Sequence, residues 1–243
     1  MDVHYHPEEH HKNSRKKISE YLKEGLMIFL AVFLGFIAEN FREHISDSKK
    51  EAEYASSMLR DLKQDSLKLN DIMQAHKTLA KGRDSLINLL SDSTAKPGFG
   101  DRAYSLFFKY GTSQPIFNAT DRTITQLTSS GNFRLIENRA VADSIAGYYD
   151  NIKDAGTQAA LNNIVVDDCF QYAQNIFKFS YGLKPHIHGK ALLTNNGNDI
   201  TRYVNKLTEM QISEQYYINK DLHDVNKSFI KLMQLLKKEY GIK

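Results

Sequence analysis

The feature that most constrains this sequence is an uncharged apolar run near its N-terminus, residues 25–38, which reads GLMIFLAVFLGFIA. Its 14 residues are fewer than the roughly 20 that a membrane-spanning helix usually needs. Extending the helix over 21–41 gives 21 residues, or about 31 Å. That length matches the hydrocarbon core of a bilayer if the charged residues at the ends, Lys23, Glu24 and Glu39, lie near the two interfaces.

Two other interpretations of this run conflict with the residues in and around it. A helix buried in a soluble core would show a polar face, and this run has none. A cleaved signal peptide would be followed by small residues of the A-x-A kind, whereas residues 39–43 read ENFRE. We therefore expect an uncleaved signal anchor over 18–42, preceded by a tail over 1–17 and followed by a soluble domain over 43–243.

The charges on either side of the span predict its orientation. The basic residues before it are Lys12, Arg15, Lys16, Lys17 and Lys23, and those after it at comparable distance are Arg42, Lys49 and Lys50. Basic residues concentrate on the cytoplasmic side of a span. We expect a single-pass protein of a bacterial inner membrane, in contact with membrane lipid. Its N-terminus would lie in the cytoplasm and its C-terminal domain in the periplasm.

One face of the span is suited to contact with another helix. At about 100° per residue, five residues fall within roughly 100° of one another around the helix: Glu24, Ala31, Gly35, Ala38 and Glu39. Small residues let helices approach closely in lipid, and carboxylates near membrane depth prefer protein partners. This face therefore predicts packing in the membrane, either in a homo-oligomer or against a partner membrane protein. The alternative is that both glutamates only reach the headgroups.

The rest of the chain has the periodicity of helices and no strand-like alternation. Between residues 39 and 90, small and apolar residues recur at spacings of three and four, interrupted by Ser66, His76 and Arg83. This pattern predicts that the anchor helix continues as one rod. Further helices are expected over 101–110, 120–128, 138–180 and 199–240. The predicted fold class is all-α, with one N-terminal transmembrane helix continuing into an antiparallel helical bundle.

Composition and the known chemical motifs narrow the functions that can be expected. The net charge of +3 is small and the basic residues are interleaved with acids, so we expect no nucleic-acid partner. The single cysteine, Cys169, excludes an intramolecular disulfide and is expected in the core. No phosphate-binding, dinucleotide-binding or nucleophile-elbow motif occurs. We therefore expect no cofactor and no enzyme.

Histidines are the only candidate metal ligands. His186 and His188 form an H-x-H pair in an expected loop, but no third ligand lies nearby in the sequence. Four more histidines, His4, His6, His10 and His11, lie in the N-terminal tail. The tail carries no scaffold that would impose a coordination geometry, so we interpret it as a solvated segment. The H-x-H pair remains a weak candidate.

Three stretches of the sequence resemble a family of single-pass inner-membrane proteins of Bacteroidota, classified as a domain of unknown function. The first is the anchor itself, YLKEGLMIFLAV from Tyr21 to Val32. The second is Leu59 to Asp65, LRDLKQD, which is similar to the family's L-x-x-L-x-x-D run. The third is Leu127 to Asn138, LTSSGNFRLIEN, followed by Tyr148-Tyr149. The resemblance implies a membrane location and brings no activity with it.

The sequence leads to one functional hypothesis and two alternatives. The first is a non-enzymatic, membrane-anchored helical domain that acts in protein interaction, as an oligomeric scaffold. The first alternative is a periplasmic helical bundle that senses a ligand. The second is a metal-dependent enzyme that uses His186 and His188.

Overall fold

The computed structural model describes Met1 and residues 13–92, 97–183 and 190–242. Within these residues the regular structure is helical apart from one isolated antiparallel bridge between Phe177 and Leu192. The all-α class predicted from the sequence is thereby confirmed. The chain divides into two compact units, Met1–Glu53 and Tyr54–Lys243, each described here by itself.

The first helix is by far the longest element. Helix α1 extends over Asn13–Ser91, a total of 79 residues, and contains no proline. The prediction that the apolar N-terminal helix continues into the first helix of the bundle is confirmed. A continuous helix of this length needs tertiary partners for its C-terminal part, because isolated helices gain little stability from propensity alone.

The middle of the chain contains two short helices and one long one. Helix α2 covers Phe99–Tyr110, helix α3 covers Arg122–Ser129, and helix α4 covers Arg139–Ala173. Between α3 and α4, Gly131 adopts a φ of 69°, which favours glycine, and a 3-10 helix follows over Asn132–Leu135. The 129–132 segment is thus a turn that connects helices.

Helix α4 is shorter than the sequence predicted. It ends at Ala173 rather than near Ser180 because the chain then turns into the bridge. There the Lys178 amide donates to the Ala191 carbonyl at 2.8 Å, and the Leu193 amide donates to the Ile176 carbonyl at 2.9 Å. These non-local hydrogen bonds replace the ones that further helical turns would provide. A short 3-10 helix, Phe179–Tyr181, follows.

The last helical stretch is interrupted by a wider turn. Helix α5 covers Gly197–Tyr216 and helix α6 covers His223–Tyr240, and a π-helical segment, Tyr217–Leu222, joins them directly. The Asn196 side chain caps α5 by accepting from the Asn198 amide at 2.9 Å, so the helix starts slightly before the expected Asp199. The last helical stretch ends, as expected, after Tyr240 of α6, where Gly241 has a φ of 61°.

The long helices of the 54–243 unit form a three-helix arrangement. Helix α4 runs antiparallel to α5 and α6, since Asp168 pairs with Lys206 near one end and Asn151 donates to the Asp224 carbonyl near the other. Helix α1 also runs opposite to α5, where Gln211 donates to the Ala80 carbonyl. Two helices that are each antiparallel to a third run parallel to one another, so α1 and α4 share one direction.

Two separate hydrophobic clusters fill this bundle. The first core joins residues 55–69 of α1 and 141–159 of α4 to the π segment and α6. The second core joins Leu86 and Leu90 of α1 to α2, to residues 166–173 of α4 and to α5. Phe107 lies at the centre of the second core, stacked on Phe177 with ring centroids 4.7 Å apart. Apolar burial in both cores is the main favourable term for folding.

The apolar segment of α1, described alone, has no packing partner. An 18-residue window has a mean hydropathy of 1.8, and none of it is buried. The large apolar side chains from Ile18 to Ile45 are exposed, including Phe29 and Phe36 at 61% and 69%. By length and composition, α1 is the one helix in the described residues that could cross a membrane.

Gly82 allows α2 to pack closely on α1. A Cβ atom at this position would lie 2.1 Å from Cγ of Tyr110, well inside contact distance. The ring of Tyr110, which is the last residue of α2, therefore packs directly on the backbone of α1 at Gly82. This contact explains a glycine in the middle of a helix, where it costs stability.

We expect Gly82→Ala to destabilise the bundle by about 1–3 kcal/mol, because the added methyl forces Tyr110 and α2 away from α1. The measurement is urea unfolding followed by circular dichroism. The matched control is Gly156→Ala, since that helical glycine has no atom within 4 Å of a built Cβ. The control should gain about 0.5–1 kcal/mol. Equal effects of the two substitutions would contradict the packing role of Gly82.

Candidate functional site

A layer of buried polar side chains separates the two hydrophobic cores. It comprises His76 and Arg83 of α1, Glu214 of α5 and Asn162 of α4, all of them buried. We call these four residues the polar layer. Each lies in the sequence between residues of the first core and residues of the second. The layer therefore crosses the bundle between the two apolar clusters.

Glu214 is the centre of the polar layer. Its Oε1 atom accepts from Nδ1 of His76 at 2.5 Å, and its Oε2 atom accepts from Nη1 of Arg83. The exposed fraction is 0% for His76 and Arg83 and 2% for Glu214, so the three side chains are closed to solvent. Charge-assisted hydrogen bonds of this kind are strong, and a buried carboxylate without them would be very costly.

Arg83 also fixes the chain that leaves α2. Its Nε atom donates to the carbonyl of Tyr110 at 2.8 Å, and its Nη2 atom donates to the carbonyl of Ser113 at 2.6 Å. Burial lowers the pKa of the Arg83 guanidinium, and the carboxylate of Glu214 acts against that shift. The Arg83 side chain of α1 thus forms hydrogen bonds both to α5 and to the segment that follows α2.

Asn162 extends the layer to α4. Its Oδ1 atom accepts from the Ser213 hydroxyl at 2.5 Å, and its Nδ2 atom donates to the Ser213 carbonyl at 3.3 Å. Gln158, one turn earlier, donates to the same Oδ1 atom at 2.9 Å. The three long helices are therefore linked at one level by polar contacts, each satisfying a buried group that would otherwise destabilise the fold.

The π segment begins three residues after Glu214. Within it, Asp221 is 7% exposed, its Oδ1 atom lies 3.7 Å from Nζ of Lys220, and its Oδ2 atom has no partner among the described residues. Burial raises the pKa of Asp221, and the nearby Asp224 and Asp154 raise it further, against the opposing effect of Lys220. π segments are rare in proteins and are frequent at functional sites.

Two further buried carboxylates on α1 hold the start of α3. Asp61 accepts from the Thr123 amide at 3.1 Å, from the Thr123 hydroxyl at 2.6 Å and from Arg122 at 2.6 Å. It thereby caps α3 from a different helix, since Asp121 makes no capping hydrogen bond with its side chain. Burial alone would raise the pKa of Asp61, but the hydrogen bonds from Thr123 and Arg122 lower it below its ordinary value.

Asp65 lies one turn further along α1 and has two buried donors. It accepts from the Thr120 amide at 2.7 Å and from the Tyr148 hydroxyl at 2.9 Å. Burial, followed by the charge of Asp65, raises the pKa of Tyr148. Neighbouring Tyr149 donates to the Thr120 carbonyl at 3.2 Å. The Asp61–Asp65 segment and the Tyr148-Tyr149 pair, which both carry the family resemblance, therefore meet at the entry to α3.

The Cys169 thiol and the His76 ring are both enclosed by the bundle. Burial raises the pKa of the Cys169 thiol to about 12, so the thiol stays protonated and packs as an apolar group. Its predicted position in the core is confirmed, with 0% exposure. Nε2 of His76 has no hydrogen-bond partner in the described part of the chain and is sealed from solvent.

The residues predicted to pack in the membrane are all exposed in α1. Ala31, Gly35 and Ala38 are exposed, and a Cβ built on Gly35 has no atom within 4 Å. Glu24 is likewise exposed, and Glu39 forms a hydrogen bond to Nε of Arg42 at 3.0 Å. Nothing in the described residues occupies this face.

The predicted metal ligands cannot be placed. His186 and His188 lie outside the described residues, as do His4, His6, His10 and His11 in the tail. Among the residues that are described, no group of three or more histidine, cysteine or carboxylate side chains could hold a metal ion. The H-x-H pair therefore stays a prediction.

No family model, curated protein or solved structure matches this chain. The resemblance to the membrane-protein family consequently stays a prediction from the three sequence stretches. The functional interpretation rests on the geometry of the two units and on the chemistry of their side chains.

We expect Glu214→Ala to destabilise the bundle by about 3–5 kcal/mol, because it leaves the Arg83 guanidinium buried without its carboxylate. The double substitution Glu214→Leu with Arg83→Met removes both charges, so it should lower the free energy of unfolding by less than Glu214→Ala does. Urea unfolding of wild type, Glu214→Ala, the single variants Glu214→Leu and Arg83→Met, and the double variant tests this. A double variant as unstable as the sum of its single variants would contradict coupling within the pair.

Asp61→Asn should lower stability at neutral pH by about 1–3 kcal/mol, since Asp61 loses charge-assisted hydrogen bonds. The pKa of Asp61 is lowered in the folded state. The stabilisation by its charge is therefore complete above the unfolded-state pKa of about 3.9, and it is lost as the pH falls through the folded-state pKa. The difference between wild type and variant should therefore shrink below about pH 4. A difference independent of pH would contradict an ionised Asp61.

Proposed function

We propose that this chain is a single-pass inner-membrane protein that acts by protein association. In this proposal residues 18–42 form the anchor and the 54–243 unit forms a helical interaction module. One observation carries it: the large apolar side chains of the N-terminal part of α1 are exposed on every face of the helix, and none of them packs on protein.

The size of this exposed surface supports a lipid environment. Leaving one large apolar side chain in water rather than burying it costs about 1.5–3 kcal/mol. The segment presents more than ten of them, among them Leu26, Phe29, Phe33 and Phe36, each at least 50% exposed. A folded water-soluble monomer rarely tolerates a contiguous apolar patch of that extent. A bilayer removes this cost and also matches the length of the segment.

The charges at the two ends favour an N-terminus in the cytoplasm and the bundle in the periplasm. The basic residues before the span outnumber those after it. Lysine and arginine side chains at these ends extend to the lipid headgroups, so membrane lipid is the first expected partner.

The face through Ala31, Gly35 and Ala38 supports association between anchors. Its small side chains leave room for a second helix backbone, and no residue of the described chain uses that room. We therefore propose that the anchor forms a homo-oligomer or packs on the helix of a partner membrane protein. Association of anchors brings the attached bundles together at a high effective concentration.

The interior of the bundle supports a role that needs no catalysis. Glu214, Asp61 and Asp65 are each closed off by hydrogen bonds from their own chain. Groups arranged in this way fix helix positions, as a buried polar residue fixes register in a coiled coil. We propose that they maintain one rigid surface for a protein partner.

Gly35→Leu should reduce association of the anchor several-fold, because the larger side chain keeps two helix backbones apart. The measurement is energy transfer between donor- and acceptor-labelled copies of the full chain in lipid vesicles. Gly25→Leu is the matched control, since it adds the same side chain outside the proposed face, where a Cβ also meets no atom within 4 Å. Energy transfer that is the same in both variants and in wild type would overturn the proposed face.

A further inference from the structure

A groove of about 560 Å³ lies between α4 and α6. Asn151 on α4 donates to the Asp224 carbonyl on α6 at 3.3 Å, which fixes the alignment of the two antiparallel helices at one end. Counting along both helices from that point places Lys231 opposite Ser144, and both line the groove. Its volume lies in the range of small-molecule sites.

The charges along this groove are separated by sign. Asp150 and Asp224 lie at one end, whereas Lys227 and Lys231 follow along α6 toward the other. Asp143, at the lysine end, is partly neutralised by Arg139 at 3.8 Å. Within the described residues, no ion pair within 4.0 Å joins either lysine to a carboxylate. The groove is therefore acidic at one end, and its other end carries two lysines together with one carboxylate that faces Arg139.

Ser144 lines the basic end and lacks a partner. It is 5% exposed, and its Oγ atom has no hydrogen-bond partner in the part of the chain that the structure describes. Hydroxyls inside helices commonly donate to the carbonyl four residues earlier, as Ser228 does to Asp224 at 3.0 Å on the opposite wall. A buried hydroxyl without such a bond costs free energy, but this Oγ atom has almost no exposed surface, so a ligand in the groove would reach it only after the side chain rotates.

Gly147 keeps the middle of the groove open. A Cβ built on this residue has no atom within 4 Å, so packing within the bundle does not require a glycine here. Glycine inside a helix costs about 0.5–1 kcal/mol relative to alanine. Its presence between Ser144 and Asp150 leaves space on α4 that a side chain would fill.

We propose that this groove binds a small zwitterionic molecule of the size of a di- or tripeptide. The ammonium group of the ligand lies at Asp150 and Asp224, and its carboxylate lies at Lys231 and Lys227. Asp224 and Lys231 are seven residues apart on α6, or about 10 Å, which is the length of about three extended peptide residues. This inference goes beyond the proposed association and does not depend on it.

The test is calorimetric titration of the full chain in mild detergent with the peptide trialanine. Wild type should bind it, and Gly147→Leu should weaken binding by at least about tenfold because the leucine side chain fills the groove. Gly156→Leu is the matched control on the same helix, also without any atom within 4 Å of its built Cβ, and it should bind like wild type. Circular dichroism confirms that both variants fold.

Two further measurements address the charges. Lys231→Met, an exposed substitution, should weaken binding of trialanine by at least about tenfold. Trialanine with an acetylated N-terminus and an amidated C-terminus should bind at least about tenfold more weakly than the free peptide. The proposal is overturned if wild type does not bind trialanine at about 10 mM. Equal binding by Gly147→Leu and Gly156→Leu, or equal binding of the capped peptide, would overturn it as well.

Discussion

The carboxylate of Glu214 lies between two cationic or hydrogen-bonding groups of α1, and the packing of the bundle depends on that arrangement. His76 and Arg83 are seven residues apart, so they present two donors on one face of α1, and Glu214 can meet both only in one alignment of α5. A shift of the helix by one turn would leave the guanidinium buried without a carboxylate, at a cost of several kcal/mol. Apolar contacts alone would discriminate much less between such alignments, because they are not directional.

The π segment joins the polar layer to the part of the last helical stretch that lies in the first core. Buried residues recur at spacings of three and four from Ile200 to Tyr217, and Asp221 follows four residues later. Leu222 is buried as well, so two consecutive residues face the interior where the turn is wider. One of the two is a carboxylate, and its Oδ2 atom has no partner among the described residues.

The sequence was sufficient to predict helix positions and the fold class, because 3.6-residue periodicity and turn residues such as Gly131 and Gly241 act locally. It was not sufficient for the polar layer. Arg83 and His76 stood out only as interruptions of the α1 pattern, and their partner Glu214 is more than 130 residues away. The end of α4 at Ala173 could not be predicted, since it follows from the bridge to a distant segment.

Three connections in the bundle depend on charged side chains of α1. Asp61 and Asp65 hold the entry to α3, Arg83 holds the exit from α2, and His76 with Arg83 holds α5 through Glu214. Replacing such groups by well-packed apolar ones often leaves stability unchanged or improves it, so stability alone does not account for them. Their directional bonds instead specify where each connecting segment meets α1. A protein that works through a rigid interaction surface needs that specification more than it needs additional stability, because the surface is formed by the very helices that these bonds position.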